Sequence, residues 1–144
     1  FEAVKTAVPV EMPLLVRVSA SDWVVGGWDV DQTIEFARAL EAAGCAAIHV
    51  SSGGNSFAQK IDIGYGYQID FAKQIRDKVS MPVIAVGMIT DPFQAETIIR
   101  TGQADLVALA REFLRDPHWT WRAAKALRST SSVPNQYGRA MSFS

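Results

Sequence analysis

With 144 residues, the chain is long enough for one domain with a sizeable core. Its residues are 49% hydrophobic and 20% charged, with a formal net charge of −1. That balance argues against nucleic acid or an anionic membrane as a bulk partner, since both select clustered positive charge. Arg and Lys are scattered, no uncharged apolar run is long enough to span a bilayer, and no signal-peptide pattern is visible. The single cysteine, Cys45, cannot close an internal disulfide, which suits a reducing compartment. A soluble cytoplasmic protein of one domain, residues 1–144, is expected.

The first strand is predicted over Leu14–Ser19, where Leu15, Arg17 and Ser19 share one face and Leu14, Val16 and Val18 the other. A helical stripe of Val30, Ile34, Ala37 and Leu40 follows and is closed by Gly44. The second strand is predicted over Ala46–Ser51, with a helix carrying Phe71, Ile75 and Val79 after it. The third runs over Pro82–Val86, and its helix opens on Asp91-Pro92 and ends at Gly102. The fourth runs over Asp105–Ala110, and its helix is expected to open on Asp116-Pro117. Asp can cap free N–H groups there while Pro occupies the first helical turn. Residues 129–144 form a tail rich in Ser, Thr and Pro with no helical stripe.

The apolar runs are nearly continuous, as in parallel strands buried on both faces. Four strand–helix units therefore predict an α/β fold with a parallel sheet and right-handed crossovers. A complete (β/α)8 barrel takes eight units and about 250 residues, so the chain reads as half of one. An open doubly wound sheet is the competing fold, but the glycines of Ser51-Ser52-Gly53-Gly54 lack the spacing of a dinucleotide fingerprint.

Ligands of α/β folds gather at the C-terminal ends of strands. Arg17 stays charged and needs a partner if buried; either a core carboxylate or a ligand at the barrel mouth would serve. Gly87 follows the third strand, where a missing side chain lets backbone N–H groups approach an anion. After the fourth strand, residues 111–115 leave room for a short extra helix, the place where such barrels hold phosphate. Arg111 would add a charge-assisted contact there; the alternative is a surface ion pair. His49, His118 and Cys45 are expected to be structural, and no metal cluster or nucleophile–base pair stands out.

The motifs Val16-Arg17-Val18-Ser19-Ala20-Ser21-Asp22, Ser51-Ser52-Gly53 and Val86-Gly87-Met88-Ile89-Thr90 occur in order. Ala110-Arg111-Glu112-Phe113-Leu114-Arg115-Asp116-Pro117 follows them, and then Gln136-Tyr137 with Arg139. Together they resemble the C-terminal half of the Old Yellow Enzyme family, in its bacterial thermophilic-like branch of NADPH-dependent ene-reductases. The resemblance implies an FMN-binding (β/α)8 barrel passing hydride from NADPH to an α,β-unsaturated substrate. By position, Arg17 resembles the arginine beside the flavin N1 and C2 carbonyl. Ser52 and Gly53 resemble the ribityl-phosphate wall, and Gly87, Ala110 and Arg111 the phosphate cradle. Tyr137 and Arg139 resemble a tail reaching a substrate or neighbouring-subunit site. The family usually has glycine at the position of Ala110, and an acidic residue and a tryptophan in the tail. Its substrate-binding histidine pair and tyrosine proton donor belong to the other half of the barrel. The alternatives are a sugar-phosphate lyase or isomerase barrel, or a non-catalytic phosphate-binding half-barrel. Self-association or pairing with the other half is expected, because a half-barrel leaves open sheet edges.

Overall fold

The computed structural model describes residues 1–141. Four parallel strands stand in the order β1-β2-β3-β4: β1 over Leu15–Ser19, β2 over Ala47–Ser51, β3 over Val83–Ala85 and β4 over Leu106–Val107. A helix precedes β1 (α1, Glu2–Ala7), which the sequence pattern did not suggest. The crossover helices are α2 (Val30–Ala42), α3 (Ile69–Arg76) and α4 (Pro92–Arg100). After β4 come α5 (Arg111–Arg115) and α6 (Trp119–Ala126), then a 3-10 turn at Asn135–Tyr137 and α7 (Gly138–Met141).

The helix-facing side of the sheet supplies the core. Ile48, Val50, Val83 and Ala85 are fully buried, packed with Ile34, Ala37, Leu40, Ala72 and Ile75 from α2 and α3. Each fully buried valine or isoleucine side chain contributes about 1.5–3 kcal/mol of transfer free energy. The helices start where local chemistry dictates. Asp29 and Gln32 form a reciprocal capping box at α2, and Asp91 accepts from the N–H groups of Phe93 and Gln94 with Pro92 in the first turn of α4. At the end of α2, the N–H groups of Gly44 and Cys45 bond the carbonyls of Glu41 and Leu40.

Several boundaries differ from the sequence pattern. β3 and β4 are shorter than expected; beyond β4 the ladder continues only as the bond that Ala108 donates to the Ala85 carbonyl, 2.7 Å. α3 ends at Arg76, so Val79 lies outside it. Asp116 does not cap α6. It terminates α5, its Oδ1 accepts from the His118 N–H, and its Oδ2 accepts from Arg122 Nε at 2.7 Å. α6 therefore starts at Trp119 with no side-chain cap. The tail folds back: the Tyr137 ring lies 5.6 Å from His118 and 5.1 Å from Trp121, and those two stack on each other at 4.3 Å.

Candidate functional site

The other face of the sheet carries the unusual chemistry. Pairing register sets Arg17 beside His49, then Ile84 and Leu106. Arg17 Nη1 is 3.3 Å from His49 Nδ1 and 3.2 Å from Nε2. An in-plane approach between those two nitrogens would collide with Cε1, so the guanidinium nitrogen rests over the imidazole face. Arg17 Nη2 donates to Ser51 Oγ at 3.2 Å. Among the described residues no carboxylate pairs with Arg17: its partners are a histidine ring and a hydroxyl, so the alternative of a core ion pair has no partner there. Burial first, and then the Arg17 charge, lower the His49 pKa below its ordinary value. His49 is thus more than the isolated structural residue expected, since it supports the one cation on this face of β1.

At the C-terminal ends of the strands, a cleft of about 250 Å³ brings Arg17 and Ser51 together with Gly87, Ala110 and Arg111. Gly87 has φ +122°. An added Cβ would lie 3.0 Å from both Cβ and Oε1 of Gln68, so the position is held as glycine by packing as well as by backbone. The loop after β3 is tied to α6 by Trp119 Nε1, which donates to the Thr90 carbonyl at 2.8 Å. α5 is the short helix expected after the fourth strand, and it begins at Arg111.

Charge is unevenly shared along α5. Glu112 is 8% exposed and accepts from both Arg115 and Arg122. Arg111, by contrast, is exposed and has no hydrogen-bond or ion-pair partner among the described residues. The surface ion pair considered for Arg111 is absent, and the carboxylate nearest it in sequence is already engaged. An anion entering the cleft would meet an uncommitted guanidinium.

Residues 1–130 match the model of the NADH:flavin oxidoreductase / NADH oxidase family. The chain belongs to this family. An NADPH dehydrogenase of Geobacillus sp. (strain WCH70) is 46% identical over 131 residues, covering 91% of this chain and 38% of that protein. An NADPH dehydrogenase of Bacillus subtilis (strain 168) is 45% identical over 127 residues, 88% of this chain and 37% of that protein. The chain thus spans under two-fifths of these curated relatives. Among solved structures, histamine dehydrogenase from Rhizobium sp. 4-9 superposes with a TM-score of 0.73 at 24% identity, covering 87% of this chain and 18% of that one. A 2-naphthoyl-CoA reductase gives 0.76 at 20% identity, covering 87% and 20%. At such identities these two likenesses speak for the fold alone.

Within this family member, the remaining site candidates lie outside the cleft. Ser52 is buried and its Oγ accepts from Gln68 Nε2 at 2.8 Å. Gly53 donates its N–H to the Ser21 carbonyl at 2.8 Å and accepts from Ser19 Oγ at 2.9 Å, which turns that loop towards the β1 end. Tyr137 and Arg139 lie on the tail and do not line the cleft; the Tyr137 ring rests against Trp121 of α6. Sequence reasoning missed Gln68 and Glu112. Strand register alone could have paired His49 with Arg17, but no local pattern marks a residue that acts across two loops. Among the described residues, no three His, Cys, Asp or Glu are placed to share a metal ion, and no helix is long and apolar enough to cross a membrane.

Proposed function

We propose that this chain is the FMN-binding half of an oxidoreductase that moves hydride from NADPH or NADH to activated alkenes, an NADPH dehydrogenase of the ene-reductase kind. The observation that carries the reading is one cleft at the strand ends holding Arg17 on one side and the unpartnered Arg111 beside the Gly87 turn on the other. Family membership and the NADPH dehydrogenase relatives support the same choice.

The residues fit FMN. Arg111, Ala110 and Gly87 would take the phosphate: a guanidinium free to make charge-assisted bonds, and a turn with no side chain in the way. Arg17 would face the ring end, where a fixed cation stabilises negative charge that builds on reduction. When bound, FMN would supply the hydride relay between nicotinamide and alkene. Ser51 and His49 hold Arg17 in place, and a neutral His49 leaves its charge undiminished. Glu112, bound by Arg115 and Arg122, is prevented from repelling a phosphate. Ser52 and Gly53 serve as the supporting wall behind these groups.

Assembly follows from the open sheet. Leu15 is 53% and Leu106 50% exposed on the inner face of the two edge strands, and unpaired edges invite another strand. Pairing with the remaining barrel strands, or self-association into an oligomer, is the reading these edges favour; the lone Cys45 suits a cytoplasmic setting for it. Tyr137, exposed on its seat beside His118 and Trp121, and Arg139 after it are the tail residues we assign to a substrate or neighbouring-subunit site.

A lyase or isomerase barrel would need a free carboxylate or lysine base at the strand ends. Among the described residues lining the cleft the only carboxylate is Glu112, already committed to two arginines. A non-catalytic phosphate-binding half-barrel would share the anion site but leave Arg17 without a purpose. The test is the visible spectrum of the full-length protein. Flavin bands, with FMN released on denaturation, are expected; a protein that neither carries flavin nor takes up added FMN would contradict the proposal.

A further inference from the structure

Gln68 occupies the cap position before α3, yet its side chain makes no cap bond. Glutamine is not among the favoured capping residues, so the helix does not explain its presence. The side chain crosses instead to the end of β2. Its Nε2 donates to Ser52 Oγ at 2.8 Å and lies 3.3 Å from both Ser51 Oγ and the Ser52 carbonyl. The residue is only 3% exposed, so these bonds form where water does not compete and leaving the amide unpaired is costly. The same side chain lies under the Gly87 turn, where an added Cβ would meet its Cβ, Oε1 and Cγ at 3.0, 3.0 and 3.2 Å. A backbone bond from the Gly66 N–H to the Gly87 carbonyl, 2.8 Å, fastens the same segment to that turn.

Two halves of the cleft thus meet at one amide. Ser51 Oγ, which receives Arg17 Nη2, also receives Gln68 Nε2, and Gly87 is shaped by the Gln68 stem. We infer that Gln68 is the positioning residue of the cofactor cleft, setting Arg17 through Ser51 at the ring end and the Gly87 turn at the phosphate end. The inference rests on the flavin reading above and goes beyond it, because Gln68 acts through Ser51 and Gly87.

Gln68→Met tests it in the full-length protein, since methionine keeps Cβ and Cγ under Gly87 and removes the amide, the Nε2 donor and the Oε1 together. Circular dichroism should stay as in the wild type. FMN affinity should fall about tenfold, the bound-flavin absorption bands should shift as Arg17 loses its alignment, and amide exchange at Gly87 and Met88 should speed up even without flavin. Gln68→Glu keeps the shape but replaces the donor with an acceptor, so it should not rescue. A Gln68→Met protein with wild-type FMN affinity, wild-type bands and unchanged exchange would overturn the inference while leaving the flavin reading intact. A wild-type protein that binds no FMN would overturn both.

Discussion

Replacing Gly87 with alanine should destabilise the fold by a predictable amount. The position sits at φ +122°, outside the region that residues with a Cβ favour. Holding a non-glycine residue there costs about 1–3 kcal/mol. The added methyl would also press on three Gln68 atoms, at 3.0, 3.0 and 3.2 Å. Gln68 cannot swing aside cheaply, because it is buried and bonded to Ser52. Overpacking of that kind adds about 1–3 kcal/mol, for a total of about 2–6 kcal/mol. Gly54→Ala is the internal control: it too has positive φ, +88°, but an added Cβ there meets nothing within 4 Å. Urea denaturation of the three proteins should show lower midpoints at similar slopes, with Gly87→Ala clearly below Gly54→Ala. If the two alanine variants lose equal stability, the packing of Gln68 under Gly87 is not what the distances imply.

Arg17→Met should preserve the fold and make the bound flavin harder to reduce, by the worth of a charge-assisted contact, about 1.5–3 kcal/mol. Redox titration reads this directly, and an unchanged potential would remove Arg17 from the ring end. His49 gives a pH signature. Its folded value is depressed from the ordinary 6.5, by burial and then by Arg17. As pH falls through that ordinary value, the unfolded chain binds a proton that the folded chain refuses, so stability declines on the acid side. His49→Gln should flatten the loss of stability between pH 7 and about pH 5, measured by denaturation at each pH; an unaltered slope would refute the assignment.

The strands were legible because their apolar runs are dense, but burial on both faces is not what the structure shows. Ile48, Val50, Val83 and Ala85 are buried against the helices, while His49 and Ile84 between them are half-buried on the face of Arg17. The helix start at Asp91-Pro92 was legible because its capping chemistry is local. The apparently identical Asp116-Pro117 misled, since Asp116 is drawn to Arg122 and His118 while α5 ends upon it. Arg17, Gly87 and Arg111 announced themselves as a charge inside a strand, a glycine after one and a cation after another. Gln68 did not, because its partners lie 16 or 17 residues away. Glu112 did not, because its local i,i+3 pair with Arg115 looks like any surface pair while Arg122 lies 10 residues on. The tail was illegible for a related reason: a single tyrosine resting on His118, just before α6, and on Trp121 within it leaves no periodic trace.

The central claim is that the cleft at the strand ends holds a flavin by its phosphate through Arg111. It is tested most directly by titrating FMN and riboflavin into the full-length protein and into Arg111→Ala. Loss of a charge-assisted contact of about 1.5–3 kcal/mol should weaken FMN by roughly 10- to 150-fold and leave riboflavin nearly unchanged. Equal weakening of both ligands, or of neither, would contradict the account.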